Sequence, residues 1–154
     1  MDATTESTTV ERELAIDADP ETVWEFLVDP EKATRWMGMS ASLDPRPGGA
    51  YRIEVIPGNV AIGEYIELDR PRRIVQTWGW EPGGAGDVAP ESTRIEIDLI
   101  PNGDGTTLRF RHELPTAKAA ESHAHGWDHY FERLIVAARG DDPGVDPWIE
   151  RPMS

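Results

Sequence analysis

The chain has 154 residues, no cysteine, and 29 acidic against 15 basic side chains, which gives a formal net charge of -14 at pH 7. This length fits a single domain with its own hydrophobic core. A sequence without cysteine excludes disulfides, thiolate metal sites and cysteine nucleophiles. The negative charge disfavours nucleic acid and anionic membrane surfaces as partners.

The first part of the chain predicts a tail, a strand and two short helices. Residues 1–8 are polar and are expected to be a disordered tail, neither a signal peptide nor an anchor. Residues 10–16 alternate between apolar and polar side chains, as a strand does. Asp19 and Asp29 are each followed by proline, and an acidic cap with proline in the first turn predicts the start of a helix.

The middle of the chain has the punctuation of successive β-hairpins. Turns rich in proline, glycine and asparagine separate segments with strand-like alternation. Residues 82–90 are rich in glycine and predict a mobile hairpin tip. The predicted strands of this region cover residues 50–56, 60–68, 73–81, 93–100 and 107–114.

A long helix is predicted for residues 116–139, because apolar residues recur there at spacings of three and four and Gly140 follows. A helix of this length needs a large partner surface. We therefore expect an α+β fold in which a curved antiparallel sheet of about six to seven strands grips the helix. Residues 9–140 form the predicted domain, and residues 141–154 a C-terminal tail with Trp148 folded back on the surface.

Several motifs, in this order, are similar to those of a known family. They are ADP at 18–20 with VW at 23–24, DPE at 29–31, LDPRPGGAYR at 43–52, GEY at 63–65, PRRIVQTW at 71–78, GTTL at 105–108 and HAHGW at 123–127. Over residues 9–139 the chain resembles the activator of Hsp90 ATPase homologue 1-like (AHSA1-like) C-terminal-domain branch of the START/Bet v 1-like (SRPBCC) superfamily. The resemblance implies a helix-grip fold.

The same resemblance implies a deep apolar cavity between the long helix and the sheet. Relatives use this cavity for lipids, for aromatic or polyketide-like molecules, or for no known ligand. The eukaryotic namesake stimulates the Hsp90 ATPase. The full co-chaperone carries a second domain that this sequence lacks, so we do not expect that role here.

Eight residues are predicted to line the cavity. The aromatic ones offer a flat hydrophobic ligand contact area and stacking, although the same rings could instead fill the space themselves. His112 is in phase with apolar neighbours on its strand, so it could orient a ligand or exchange a proton, or be hydrogen-bonded in the core. His123 precedes Trp127 by one helical turn and is expected to pin the helix to the sheet. The eight are Trp36, Trp78, Trp80, His112, His123, Trp127, Tyr130 and Phe131.

Other polar residues give weaker signals. Arg12, Glu64 and Gln76 are in phase with inward apolar residues, and groups placed there need partners or mark the polar end of a ligand. His125 and His129 have the spacing of metal ligands on a helix. They lie off the apolar stripe, however, so we expect a solvated face and no metal site.

The sequence therefore predicts a cytoplasmic binding protein for a small hydrophobic molecule, with no cofactor and no catalytic residues. No nucleophile elbow, P-loop or HExxH motif is present. One alternative is a cavity enzyme of the aromatase/cyclase type that uses His112 or an inward carboxylate such as Glu64. The other is a co-chaperone or interaction module with an exposed apolar patch near residues 82–90 or Trp148. A homodimer stays open, because no segment indicates an interface.

Overall fold

A computed structural model describes residues 8–82, 88–89 and 92–151 of the chain. The predicted tail (apart from residue 8) and most of the predicted hairpin tip at 82–90 lie outside these residues. The elements are β1 (Thr9–Ile16), α1 (Pro20–Val28), α2 (Pro30–Trp36), β2 (Ser40–Leu43), β3 (Ala50–Ile56), β4 (Asn59–Asp69), β5 (Arg73–Trp80), β6 (Thr93–Asn102), β7 (Gly105–Glu113), α3 (Ala117–Ala138) and a short 3-10 helix (Pro147–Ile149).

The strands form one antiparallel sheet of seven strands in the order β1-β7-β6-β5-β4-β3-β2. The first strand pairs with the last, with Val10 opposite His112 and Leu14 opposite Leu108. The strand missing from the segment predictions is β2, whose four residues are too few to show a pattern; its Leu43 lies opposite Tyr51. The predicted α+β helix-grip architecture is confirmed.

Local sequence explains where the helices begin. The side chain of Asp19 accepts a hydrogen bond from the backbone N–H of Thr22, and that of Asp29 accepts one from the N–H of Lys32. Thr116 caps α3 in the same way through the N–H of Ala119, at 3.0 Å. The long helix is one residue shorter at each end than predicted.

The helices cover the concave face of the sheet. α3 buries a stripe that includes Trp127, Phe131 and Leu134. At the edge of the sheet, the Arg12 guanidinium binds both carboxylate oxygens of Asp128, at 2.6 and 3.1 Å, and so joins β1 to α3. In α2, the Trp36 indole N–H donates to the carbonyl of Phe26, which fixes α2 against α1. The interior is therefore walled by aromatic side chains from both the helices and the sheet.

The chain after α3 turns back along the helix, and we call residues 141–149 the C-terminal strap. Trp148 lies at its end and is 4% exposed, so the prediction that this indole lies on the surface is wrong. The reason is a specific seat: the ring stacks on His129 at 3.7 Å between centroids, and the 3-10 helix that carries it contacts β3. The strap thus lies between α3 and β3.

Candidate functional site

Seven of the eight residues predicted to line a cavity form one connected group of rings, which we call the ring cluster. Trp78 is at its centre, with ring centroids 4.8 Å from Trp80, 5.1 Å from His112, 5.4 Å from His123 and 5.8 Å from Trp127. Stacked contacts extend the group from Trp127 to Phe131, and from Phe131 to Trp36. The eighth residue, Tyr130, turns instead towards Trp148 in the strap. At these distances the rings fill much of the space between α3 and β5–β7 themselves.

His112 has both ring nitrogens occupied. The Trp127 indole N–H donates to Nδ1 at 3.1 Å, so the imidazole proton is on Nε2. That N–H faces the hydroxyl of Thr93 at 2.8 Å, and the hydroxyl donates in turn to the carbonyl of Trp78 at 2.6 Å. Burial, with a smaller contribution from the charge of His123, lowers the pKa of His112 to about 3. The residue is therefore held as a neutral, hydrogen-bonded core histidine.

His123 connects the helix to the sheet through its side chain. Its Nε2 accepts from the Trp80 indole N–H at 3.1 Å, which places its proton on Nδ1, 2.7 Å from the carbonyl of Ala119. Trp80 belongs to β5 and His123 to α3. This geometry fits the predicted duty of pinning the long helix.

A second group of buried polar side chains lies on β3, β4 and β5, and we call it the tyrosine cluster: Tyr51, Tyr65, Gln76 and Trp78. Each of the four is at most 6% exposed. The rings of Tyr51 and Tyr65 meet edge to face at 6.0 Å. Among the described residues, the Tyr65 hydroxyl and the Trp78 indole N–H have no hydrogen-bond partner. Buried polar groups without partners are uncommon in native structures.

Titration behaviour links the members of this cluster. Burial raises the pKa of the Tyr51 hydroxyl, and the neighbouring side chains of Trp78 and Gln76 act in the opposite direction. Burial also raises the pKa of Tyr65, with further contributions from Tyr51 and Asp44. Both phenols are therefore neutral hydrogen-bonding groups throughout the physiological pH range.

The tyrosine cluster was missed by the sequence interpretation, which assigned Glu64 rather than Tyr65 to the inner face. Glu64 is exposed, so the expectation of an inward carboxylate there is wrong. The cause is an irregularity in β4, where the pairing with β5 shifts between Tyr65 and Glu67. Gln76 does point inward as expected, and Arg12 leaves the interior to bind Asp128.

His125 and His129 contact the strap, contrary to the expected solvated face. His129 Nε2 lies 2.8 Å from Asp146 Oδ1, and the His125 ring is 5.2 Å from that of Trp148. Within residues 8–82, 88–89 and 92–151, no three metal-ligating side chains come together. These histidines are therefore contacts between α3 and the C-terminal strap.

Three clefts open at the surface, and none of the eight predicted residues lines them. The cleft beside the strap has a volume of about 680 Å³ and is bordered by Arg35 of α2, Arg133 of α3 and Val145. In the described part of the chain, no helix is both long and apolar enough to cross a membrane.

The seven-stranded sheet wrapped on a long C-terminal helix defines a helix-grip protein. The family model for the activator of Hsp90 ATPase homologue 1-like proteins matches residues 17–138, and the chain belongs to this family. The AHSA1-like protein RHE_CH02687 of Rhizobium etli is 40% identical, over 96% of this chain and 91% of that one, with a TM-score of 0.73.

Other similar proteins widen the picture. The solution structure of CalU16 from Micromonospora echinospora is 28% identical over 93% of this chain and 71% of that one, with a TM-score of 0.74. PFC0360w, an HSP90 activator from Plasmodium falciparum, shares the fold at 20% identity and a TM-score of 0.69, over 83% of this chain and 94% of its own. The uncharacterised protein C1711.08 of Schizosaccharomyces pombe is 31% identical over 75 residues, which are 47% of this chain but only 21% of that protein.

Proposed function

We propose that the protein binds a small, neutral, mostly apolar molecule with at least one hydrogen-bonding oxygen. The molecule lies between α3 and strands β3–β5, with its oxygen at the tyrosine cluster. The observation that carries this proposal is the pair of unpartnered buried groups, the Trp78 indole N–H and the Tyr65 hydroxyl. Each such group destabilises the fold by about 1–3 kcal/mol, and a ligand oxygen would remove that penalty.

The chemistry of the cluster selects the ligand oxygen. An indole N–H is only a donor, so the atom facing Trp78 must be an acceptor such as a carbonyl. The Tyr65 hydroxyl can donate to the same oxygen or accept from a ligand hydroxyl. Among the described residues the buried polar side chains are Gln76, Thr93, Thr106, His112, His123 and Asp146, and Asp146 belongs to the strap. A charged ligand group at the cluster would therefore have no counter-charge, which favours a neutral molecule.

The eight residues named from the sequence take a secondary part in this proposal. The ring cluster occupies the region between α3 and β5–β7, so the ligand lies on its β3–β5 side. Trp78 belongs to both clusters and offers a ring face together with its N–H. Apolar contact would contribute at roughly 25 cal/mol per Å² removed from water.

The geometry favours this function over the two alternatives. An aromatase/cyclase-type enzyme that uses His112 needs a ring nitrogen free for substrate, and Trp127 and Thr93 occupy both. An interaction module needs a contiguous apolar patch. The large apolar residues exposed in the described part of the chain belong to four separate segments: Met39, Ile66, Ile100 and Val145. We accordingly expect no stimulation of an Hsp90 ATPase. Cytoplasmic location and oligomeric state stay predictions.

The test uses prodan, a neutral naphthyl ketone dye whose emission shifts to the red when its carbonyl accepts a hydrogen bond. We expect the wild-type protein to bind the dye, and Tyr65→Phe or Trp78→Phe to weaken binding by about fivefold to tenfold through loss of one hydrogen bond. The dye bound to either variant should also emit further to the blue.

Tyr130→Phe is the matched control, because it removes another buried, unpartnered phenol that faces the strap rather than the cluster. Its affinity and emission should equal those of the wild type. Absence of binding, or equal losses in Tyr65→Phe and Tyr130→Phe, would contradict the proposal. Native mass spectrometry of the protein as purified provides an independent readout, in which a retained small molecule supports it.

A further inference from the structure

We propose that the C-terminal strap is a lid that opens to admit the ligand to the interior and closes over it. This inference rests on the proposed function, since a lid requires a site beneath it. The strap runs from the end of α3 to the 3-10 helix that contacts β3, the strand that carries Tyr51. It therefore covers one side of the space between α3 and the half of the sheet that holds the tyrosine cluster.

Trp148 is the part of the lid that closes the gap. Its indole is 4% exposed and belongs to the main hydrophobic core. It packs against α3 through a parallel stack on His129, at 3.7 Å, and an edge contact with Tyr130 at 5.7 Å. A single large ring at the end of a short segment can leave as a unit, because its contacts come from one side chain.

The strap is held by side chains rather than by a backbone ladder. The Arg133 guanidinium donates to the carbonyls of Pro143 and Gly144 in the strap and to that of Trp36 in α2. Asp146 accepts from the Trp148 backbone N–H and lies 2.8 Å from His129 Nε2. The backbone hydrogen bonds described for residues 141–151 reach only to nearby residues of the same segment or to the end of α3. Segments tied in this way open at lower free energy than sheet strands do.

The closed state also contains a built-in penalty. The Tyr130 hydroxyl and Asp146 Oδ2 are both buried without a hydrogen-bond partner among the described residues. The charge of Asp146 contributes to the raised pKa of Tyr130, which shows that the two groups face each other's surroundings. When the strap opens, both atoms gain water. This relief opposes the loss of apolar contact at Trp148 and keeps the closed and open states close in free energy.

Stopped-flow binding of prodan tests the lid in the full-length protein. If the wild-type strap must open first, the observed rate should level off at high dye concentration. Trp148→Ala should raise the rate by about tenfold or more and make it proportional to dye concentration, because the indole no longer favours closure. Trp148→Phe should lie in between. Val145→Ala is the control, since Val145 is 87% exposed on the same segment.

Asp146→Ala gives a second route that keeps the indole. It removes the contact with His129 and the cap of the 3-10 helix, so it should also speed dye entry. Far-ultraviolet and near-ultraviolet circular dichroism identify any variant that has lost its fold.

A tether tests the converse. The chain has no cysteine, so Arg35→Cys with Val145→Cys introduces the only two thiols, one on each side of the same cleft. Joining them with a flexible bis-maleimide should slow dye entry by about tenfold or more, because the strap can no longer leave α2. Each single variant treated with the reagent should keep the wild-type rate.

The outcomes separate the lid from the binding function. Equal rates in the wild type, Trp148→Ala and the tethered protein, with dye bound in all three, would overturn the lid and keep the ligand site. Failure of every form to bind dye would overturn both. Binding by Trp148→Ala at rates that the wild type does not reach supports both.

Discussion

The Trp127 indole N–H donates to Nδ1 of His112 across 3.1 Å, and this contact determines the chemical state of the histidine. With Nδ1 as an acceptor, the imidazole must be neutral and must carry its proton on Nε2, where Thr93 receives it. A second proton on the ring would set the N–H of Trp127 against another N–H. His112 therefore ties α3 to β7 and, through Thr93, β7 to β6.

The first prediction concerns pH. The pKa of His112 is lowered from 6.5 to about 3 in the folded protein. As the pH falls below 6.5, the unfolded chain binds a proton at His112 that the folded chain does not. The free energy of unfolding should therefore decrease as pH falls from 6.5 towards 3, by up to about 1.4 kcal/mol per pH unit from this group. Urea denaturation over this range measures the slope.

The control for this prediction is His112→Gln, which cannot titrate. It should be less stable near neutral pH, by about 1–3 kcal/mol, because the partners of the imidazole lose hydrogen bonds. Its stability should then fall less steeply with decreasing pH than that of the wild type. Identical slopes in the two proteins would show that His112 titrates normally in the folded state.

The second prediction concerns two glycines in different surroundings. A Cβ at Gly63 in β4 would lie 1.9 Å from the carbonyl oxygen of Thr77, so Gly63→Ala must push β4 and β5 apart. We expect a loss of about 1–3 kcal/mol or more. Gly126 in α3 has no atom within 4 Å of the same position, so Gly126→Ala should stabilise the helix by about 1 kcal/mol. Chemical denaturation of both variants checks the opposite signs.

The third prediction compares two buried hydroxyls. The Tyr65 hydroxyl has no partner among the described residues, so Tyr65→Phe should leave the stability of the unliganded protein unchanged or raise it by about 1 kcal/mol. Thr93 bonds both His112 and the carbonyl of Trp78, so Thr93→Val should destabilise by about 1–3 kcal/mol. A large loss in Tyr65→Phe would indicate a structural partner for that hydroxyl.

The periodicity of the sequence was sufficient to predict the architecture. Apolar spacing in residues 116–139 and alternation in the strands indicated a helix gripped by a sheet, and the two Asp-Pro pairs marked α1 and α2. Hydrophobic pattern carries this information because one face of each element is buried. The inward position of His112 followed from the same argument and is confirmed by its complete burial.

The candidate site was harder to predict, because it depends on features that pattern does not encode. The register shift in β4 placed Tyr65 rather than Glu64 inside, and alternation alone could not reveal it. The signal in β3 was present, since Tyr51 alternates with Ile53 and Val55, but it marked only an inner face. The strap was missed because tertiary contacts with α3, rather than local periodicity, bury Trp148.

The most direct test of the central claim follows the indole N–H signal of Trp78 by nuclear magnetic resonance, assigned through its loss in Trp78→Phe. On addition of prodan, we predict that this resonance moves downfield, as expected when a carbonyl oxygen begins to accept from it, while the Trp127 N–H already bonded to His112 moves little. Prodan binding that leaves the Trp78 signal unchanged, or that shifts the two signals equally, would contradict a ligand site at the tyrosine cluster.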